Sequence, residues 1–337
     1  MNNSKKAIIL LLFIFLLIAI FASLFIGRYP LPVSAVWKVL LSELTGGARG
    51  EPDIAKTLIL DIRLPRVVLG AMVGGCLAIS GAAFQGLFRN PLVSSDMLGV
   101  SHGAGFGAAM AIILFHGNIT AIYVFAFSFG LLAVFFSYLI GRVYNTTPSI
   151  MLVLGGIIVS SIFSALISFA KYVADPYQQL PTIVFWLMGS LAAASYRNVL
   201  IAGVPMIVGV TGLICIRWRV NVLSMGDKEA HALGINPAVD RGIVIVCATL
   251  ATAGAVCVSG IIGWVGLIVP HIARMLVGDD NGILIPASYL AGAVFLVLVD
   301  DLSRIITGSE MPLGILTALL GAPFFIYLLK KTKAKGW

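Results

Sequence analysis

Charge is scarce in this chain of 337 residues. Asp, Glu, Lys and Arg make up 11% of it, against 60% hydrophobic residues and a mean hydropathy of +1.05. An ordinary soluble domain carries roughly 25% charged residues. A soluble fold of this length could not hide so much apolar surface, so the composition excludes one and requires membrane integration. The Gly-Lys dipeptide occurs nowhere, so there is no G-x-x-x-x-G-K-[ST] loop to cradle phosphates. The chain does not bind and hydrolyse ATP in that way, and any ATP-driven step needs a separate polypeptide. The four histidines, His102, His116, His231 and His271, lack the H-x-x-x-H spacing of a metal site. Cys76, Cys215, Cys247 and Cys257 all sit in apolar runs without a C-x-x-C pair; they read as small packing residues. Carboxylates are nearly absent from the apolar runs, which counts against a proton- or sodium-coupled transporter, because such proteins hold ionisable groups in mid-membrane. The net charge of +8 and pI near 9.4 do not imply nucleic acid. In a membrane chain, basic residues flank the spans and set topology.

What is present is a series of apolar runs. Residues 7–27, 67–88, 97–141, 143–170, 176–196, 198–216, 242–273, 281–299 and 311–329 contain no Asp, Glu, Lys or Arg. A crossing needs roughly 20 residues. The run after Lys5-Lys6 is too long for a signal peptide's apolar region and predicts a retained first helix. The 97–141 run predicts two crossings broken at His116-Gly117-Asn118, and the 242–273 run two more broken near Ser259 to Gly263. The 176–196 run, with Pro176, Pro181 and Tyr177-Gln178-Gln179, predicts a short re-entrant or surface helix. The expected fold is all-α and polytopic: about ten transmembrane helices in one bundle with short re-entrant or surface helices, a single transmembrane domain over 1–337. Ten crossings put both termini on one side. With both inside, the cytoplasmic segments hold 13 of the 22 basic residues. Six of the nine outer ones fall in the single segment from Arg28 to Arg66, and long segments obey the positive-inside rule poorly.

Between Arg217 and Arg241 lies a polar island containing Arg217, Arg219, Asp227, Lys228, Glu229, Asp240 and Arg241, flanked by uncharged runs on both sides. It predicts a short helix ended by glycine, held at the cytoplasmic surface and offered to a soluble partner. At the outer rim, Arg63-Leu-Pro-Arg66, Asp300-Asp301-Leu-Ser-Arg304 and Glu310 form a second charged set, read as a docking surface for an acidic partner or as interfacial snorkelling. Gly99-Val-Ser101-His102-Gly103 matches the G-x-S-x-G nucleophile pattern, but an apolar helix start is not the strand-turn-helix it needs. An intramembrane serine protease with His271 as base is the distant alternative. An internal echo relates Ser80-Gly81 to Ser259-Gly260 and Gly86-Leu87 to Gly266-Leu267, which fits an inverted repeat.

Taken in order, several of these stretches resemble one family. They are Arg63-Leu-Pro-Arg66, Ser80-Gly81 to Gln85, Arg89-Asn-Pro-Leu92, Leu98-Gly-Val-Ser-His-Gly-Ala104, Gly226-x-x-x-Ala230-x-x-Leu-Gly234, Gly263-x-x-Gly-Leu-Ile-Val-Pro-His271, and Glu310-Met-Pro-Leu-Gly-Ile to Leu-Gly-Ala-Pro323. Over residues ~60–330 the chain resembles the FecCD family of ABC importer permeases, which handle iron-siderophores, haem and cobalamin. The resemblance implies a transport subunit without its own ATP site, in a bacterial or archaeal cytoplasmic (inner) membrane. It implies a homodimer embedded in lipid, two cytoplasmic ATPase subunits and a periplasmic or surface-tethered substrate-binding protein. It implies no cofactor in this chain, ATP and Mg belonging to the ATPase. Arg63, Arg66 and Arg304 are expected to meet the binding protein. Gly226, Asp227, Glu229, Ala230, Leu233 and Gly234 are expected on the ATPase-coupling helix, within a coupling segment of about 217–241. Thr146 and Thr147 are expected near the cytoplasmic gate. The expected cargo is a metal chelate, foremost an iron-siderophore, with haem, cobalamin and molybdate or tungstate as alternatives.

Overall fold

A chain with this much apolar surface must satisfy its backbone internally wherever it meets lipid, and helices are the way to do so without a closed barrel. The computed structural model describes residues 3–45, 54–142, 149–307 and 309–332, and among them every regular element is a helix. In chain order these are α1 (Asn3–Ser23), α2 (Val33–Thr45), α3 (Ile54–Phe88), α4 (Val100–Leu114), α5 (Ile119–Gly141), α6 (Ser149–Val173), α7 (Gln179–Leu187), α8 (Tyr196–Met225), α9 (Asp227–Ala232), α10 (Pro237–Ser259), α11 (Val265–Val277), α12 (Asn281–Ile305) and α13 (Leu313–Thr332). Seven of them (α1, α3, α5, α6, α8, α10 and α12) are long and apolar enough to cross a membrane, and α4, α11 and α13 are shorter apolar helices. Together they occupy the positions of the ten expected crossings.

The breaks fall where the turn chemistry requires them. His116 and Gly117 both adopt positive φ, and Asn118 then caps α5 by accepting the Ala121 N–H at 3.1 Å. After Ser259 the chain runs without helix to Trp264, through Gly260 at φ 68°. The proline-bearing 176–196 stretch holds the short helix α7. Helix α2 was not expected. It lies in the long segment between α1 and α3 and buries Val36 and Val39 against Ala55 and Ile59, while Trp37 and Leu41 remain exposed. Helix α3 is 35 residues long, about 52 Å at 1.5 Å per residue, well beyond a hydrocarbon core of about 30 Å. Its surplus includes a stretch of π turns over Thr57–Arg63.

The core runs along α3, whose residues from Val67 to Phe88 are almost all buried. Small residues let its neighbours come to backbone contact, the usual basis of helix association in lipid. A side chain at Gly74 would meet the Gly292 carbonyl of α12, and one at Gly81 would fall on the Gly266 carbonyl of α11. The two stretches related by the internal echo are thus in direct backbone contact.

Candidate functional sites at the two ends of the bundle

At one end stands α9, a helix of six residues. So short a helix is not stable alone; its caps and ion pairs hold it. Gly226 precedes it at φ 134°, ψ 162°, a region essentially confined to glycine. At its exit Gly234 has φ 75°, its N–H donates to the His231 carbonyl at 3.0 Å and the Ile235 N–H to the Ala230 carbonyl at 3.0 Å. This is a Schellman closure, the glycine-ended helix expected. Asn236 then caps α10 by accepting the Ala238 N–H at 3.1 Å, and Pro237 occupies its first turn. Two ion pairs bind the three helices. Arg241 Nη2 donates to Asp227 Oδ1 at 2.8 Å, and Arg219 Nη1 to Asp240 Oδ1 at 2.6 Å. Arg241 and Asp240 are buried, Asp227 and Arg219 half exposed.

The same end gathers other element termini. Asn221 of α8 donates its amide to Asp280 Oδ1 at 2.6 Å and accepts the Asn281 N–H at 2.7 Å. That amide is the main reason the Asp280 carboxyl lies below the usual aspartate range; the Gly282 N–H and the charges of Lys5 and Arg217 add to it. The start of α1, the last turns of α8 and the α11–α12 turn therefore share the α9 face.

Of the expected coupling residues, Asp227, Glu229, Leu233 and Gly234 present themselves outward, beside Lys228 and His231. Gly226 and Ala230 do not. Ala230 is fully buried, and Gly226 is covered by the Glu229 carboxylate and approached by Arg89. From within, the two shape how α9 enters and packs. Thr146 and Thr147 lie outside the described residues.

The opposite end carries the rim charges, and here the expectation needs correcting. Arg63, Arg66 and Arg304 are only 4%, 6% and 5% exposed, and the chain itself supplies their partners. Arg66 bridges two elements: Nη2 and Nε reach Asp300 of α12 at 2.9 and 3.0 Å, while Nη1 and Nη2 reach Glu310, ahead of α13, at 2.7 and 3.0 Å. Arg304 donates to the Ser23 hydroxyl at 2.7 Å, to the Ile26 carbonyl at 2.8 Å, and to Asp301. Arg63 donates to the Leu24 and Tyr29 carbonyls at 2.7 and 2.6 Å. Arg66 and Arg304 face three carboxylates while Arg63 is held by main-chain carbonyls, and the cluster closes α1, α3, α12 and the approach to α13 together. None of the three guanidiniums projects outward as a docking surface would need. Burial works to raise the Glu310 carboxyl, but the hydrogen bonds and charge of Arg66 outweigh it and hold it below the usual glutamate range. Sequence reasoning had found the acidic and basic members but paired them with an outside partner.

The G-x-S-x-G match is helix capping. Ser101 is buried at the start of α4, and its N–H donates to Asp96 Oδ1 at 2.7 Å. His102 lies 3.6 Å from the other carboxylate oxygen of Asp96. His271 sits on α11 near Arg274 and Asp279, so the geometry does not assemble the protease pair. Among the described residues there is no group of three or more His, Cys, Asp or Glu able to hold a metal.

With both ends described, comparison with known proteins is informative. The FecCD transport family matches residues 15–331. The chain is 41% identical to the molybdate import system permease protein MolB of Haemophilus influenzae, over 99% of this chain and 98% of that one. It is 44% identical to a probable iron chelatin transport system permease protein of Helicobacter pylori, over 82% and 83% of the two chains. Among solved structures, an inward-facing ABC transporter described as of the metal-chelate type superposes with a TM-score of 0.86 at 38% identity, covering 97% of this chain and 99% of that one.

Proposed function

Since the chain belongs to the FecCD transport family and is a membrane-spanning permease of an ABC importer, we propose that it carries a metal chelate inward, an iron-siderophore foremost, as a homodimer driven by two separate ATPase subunits. The observation that carries this reading is α9: a six-residue polar helix, outward-facing through Asp227, Lys228, Glu229 and His231, in a chain with no phosphate loop of its own. The α9 face is cytoplasmic in this reading, both termini lie on that side of the membrane, and 1–337 works as a single transmembrane domain. ATP binding closes the ATPase pair, α9 is displaced, and the spans rearrange around the interface between the two copies by alternating access. A periplasmic or surface-tethered binding protein delivers cargo at the rim. Because Arg63, Arg66 and Arg304 are already satisfied, that protein meets the rim through other groups or exchanges partners with them. The chain needs no cofactor; ATP and Mg sit on the ATPase.

A second cargo reading, molybdate, is supported by the full-length match to a permease named for it. Other relatives are named for cobalamin and hemin. The test is ATP-driven uptake in proteoliposomes with the cognate ATPase and binding protein, offering labelled ferric chelate, molybdate, haem and cobalamin in parallel. Uptake of the ferric chelate alone supports the first reading and uptake of molybdate alone the second. No ATP-dependent uptake, with both partners bound, rejects the importer mechanism proposed for this chain.

A further inference from the structure

The two ion pairs at the α9 end have a direction. Both terminate on α10, at the adjacent buried residues Asp240 and Arg241. The first residue of α9 is therefore fastened to the first turns of α10. Toward α8 the link is Gly226, in a glycine-only conformation that interrupts the helix between Met225 and Asp227. So α9 meets α8 through a break in the helix and α10 through a side-chain tie, while Arg219 and Asp240 tie α8 to α10 directly.

What α10 reaches is equally defined. It is 23 residues long with no proline inside it beyond the first turn, about 35 Å of uninterrupted helix, and from Ala251 to Ser259 nearly every residue is buried. At its far end the Ser259 carbonyl accepts the Ser190 N–H at 2.8 Å, just past α7. Gly260 lies against Gly189 and the Trp186 carbonyl. The same 188–189 backbone accepts the N–H groups of Leu313 and Gly314, at 2.9 and 3.0 Å, which open α13. One helix thus runs from the polar island to the junction where the exit of α7, the break before α11 and the start of α13 are joined by main-chain bonds.

We propose that Arg241 is a positioning residue for transport: it pins α9 to α10, so that α10, with α8 tied to it through Arg219 and Asp240, acts as the lever carrying displacement of α9 to the 186–190 and 313–314 junction. This deepens the importer reading and rests on α9 receiving the ATPase. The helix ladder of α10 and the main-chain bonds at its far end do not depend on the pin, so losing it should leave assembly intact and remove transmission.

The experiment compares wild type, Arg241→Gln and Arg241→Lys, each reconstituted with the cognate ATPase and binding protein. Four quantities are read: ATPase retained per permease, ATP hydrolysed, cargo moved per ATP, and the ATP-dependent change in thiol labelling at Ala192→Cys, an exposed site beside the far junction. Coupling between distant sites is commonly worth roughly 5–150-fold. The expected result is undiminished ATPase retention and hydrolysis, with cargo per ATP falling about fivefold or more. The ATP-dependent labelling change should be lost in Arg241→Gln and kept in part by Arg241→Lys, which retains the charge facing Asp227 but not the guanidinium fork. Arg241→Lys keeps a buried cation beside Asp227, so it keeps the test valid, with an intermediate fall in cargo per ATP, if Arg241→Gln fails to fold. A wild type that couples, beside Arg241→Gln or, where that fails to fold, Arg241→Lys coupling equally well, overturns the pin and spares the importer reading. A wild type that retains no ATPase overturns both.

Discussion

Arg66 holds two carboxylates from different elements, and its side chain is 7% exposed while that of Asp300 is 3% exposed. A buried ion pair is weak evidence of net stability, because desolvation offsets attraction, but removing one member strands the other. Arg66→Ala should therefore cost about 3–5 kcal/mol, read as a large drop in melting temperature of the detergent-purified chain. Arg66→Lys keeps the charge but not the fork and should fall between that variant and wild type; a variant as stable as wild type would deny the network its role. Gly81 tests a different force. Its Cβ would fall on the Gly266 backbone, and backbone cannot give way as a flexible side chain can. Gly81→Ala should lose about 1–3 kcal/mol by overpacking, visible in the same melt. These residues also show what a sequence conveys at this scale. Arg66, Asp300 and Glu310 were found as charges in an apolar chain. Their mutual pairing was not legible, because positions 66 and 300 are brought together only by the crossing of α3 and α12.

At the scale of elements, the helices were legible wherever length or turn chemistry dominates. Long uncharged runs can only be helices in lipid, and His116-Gly117-Asn118 and the stretch after Ser259 broke them as glycine and asparagine should. Helix α9 was legible for the same reason: a polar hexapeptide between apolar runs, closed by Gly234. Helix α2 was missed because Lys38 and Glu43 make its segment read as outer loop. Its apolar spacing at Val36, Val39 and Leu40 was a usable signal that charge counting overrode. The Schellman closure of α9 yields its own expectation. A methyl group at Gly234 meets nothing within 4 Å, so Gly234→Ala isolates the price of a left-handed backbone, about 1–2 kcal/mol. Gly234→Asn should be milder, since asparagine tolerates that conformation. Protease sensitivity around 226–236 reads the difference, and equal sensitivity of the alanine variant and wild type would argue that the closure contributes nothing to order there.

At the scale of the molecule, the two ends differ in what sustains them. The α9 end relies on pairs with one exposed member each, worth roughly 0.2–1 kcal/mol when solvated and weakened by salt. The rim relies on buried pairs that salt reaches poorly. Acid distinguishes the ends less than it exposes the rim. A glutamate held below its unfolded value adds stability that is complete above that value, about 4.3, and is lost as pH falls through the lowered folded value. The melting temperature should therefore lose the Glu310 contribution only below about pH 4.3. Glu310→Gln should flatten part of that acid limb, and an unchanged limb would exclude the carboxylate as its source. The rim has a further consequence, for descent. Because Arg66 is held by Asp300 and Glu310 together and sits buried between them, no lineage can alter one of the three alone without passing through a damaged intermediate. Across relatives, positions 66, 300 and 310 should be inherited as a block, replaced together or kept together, and the pinned positions 227 and 241 should likewise change only together.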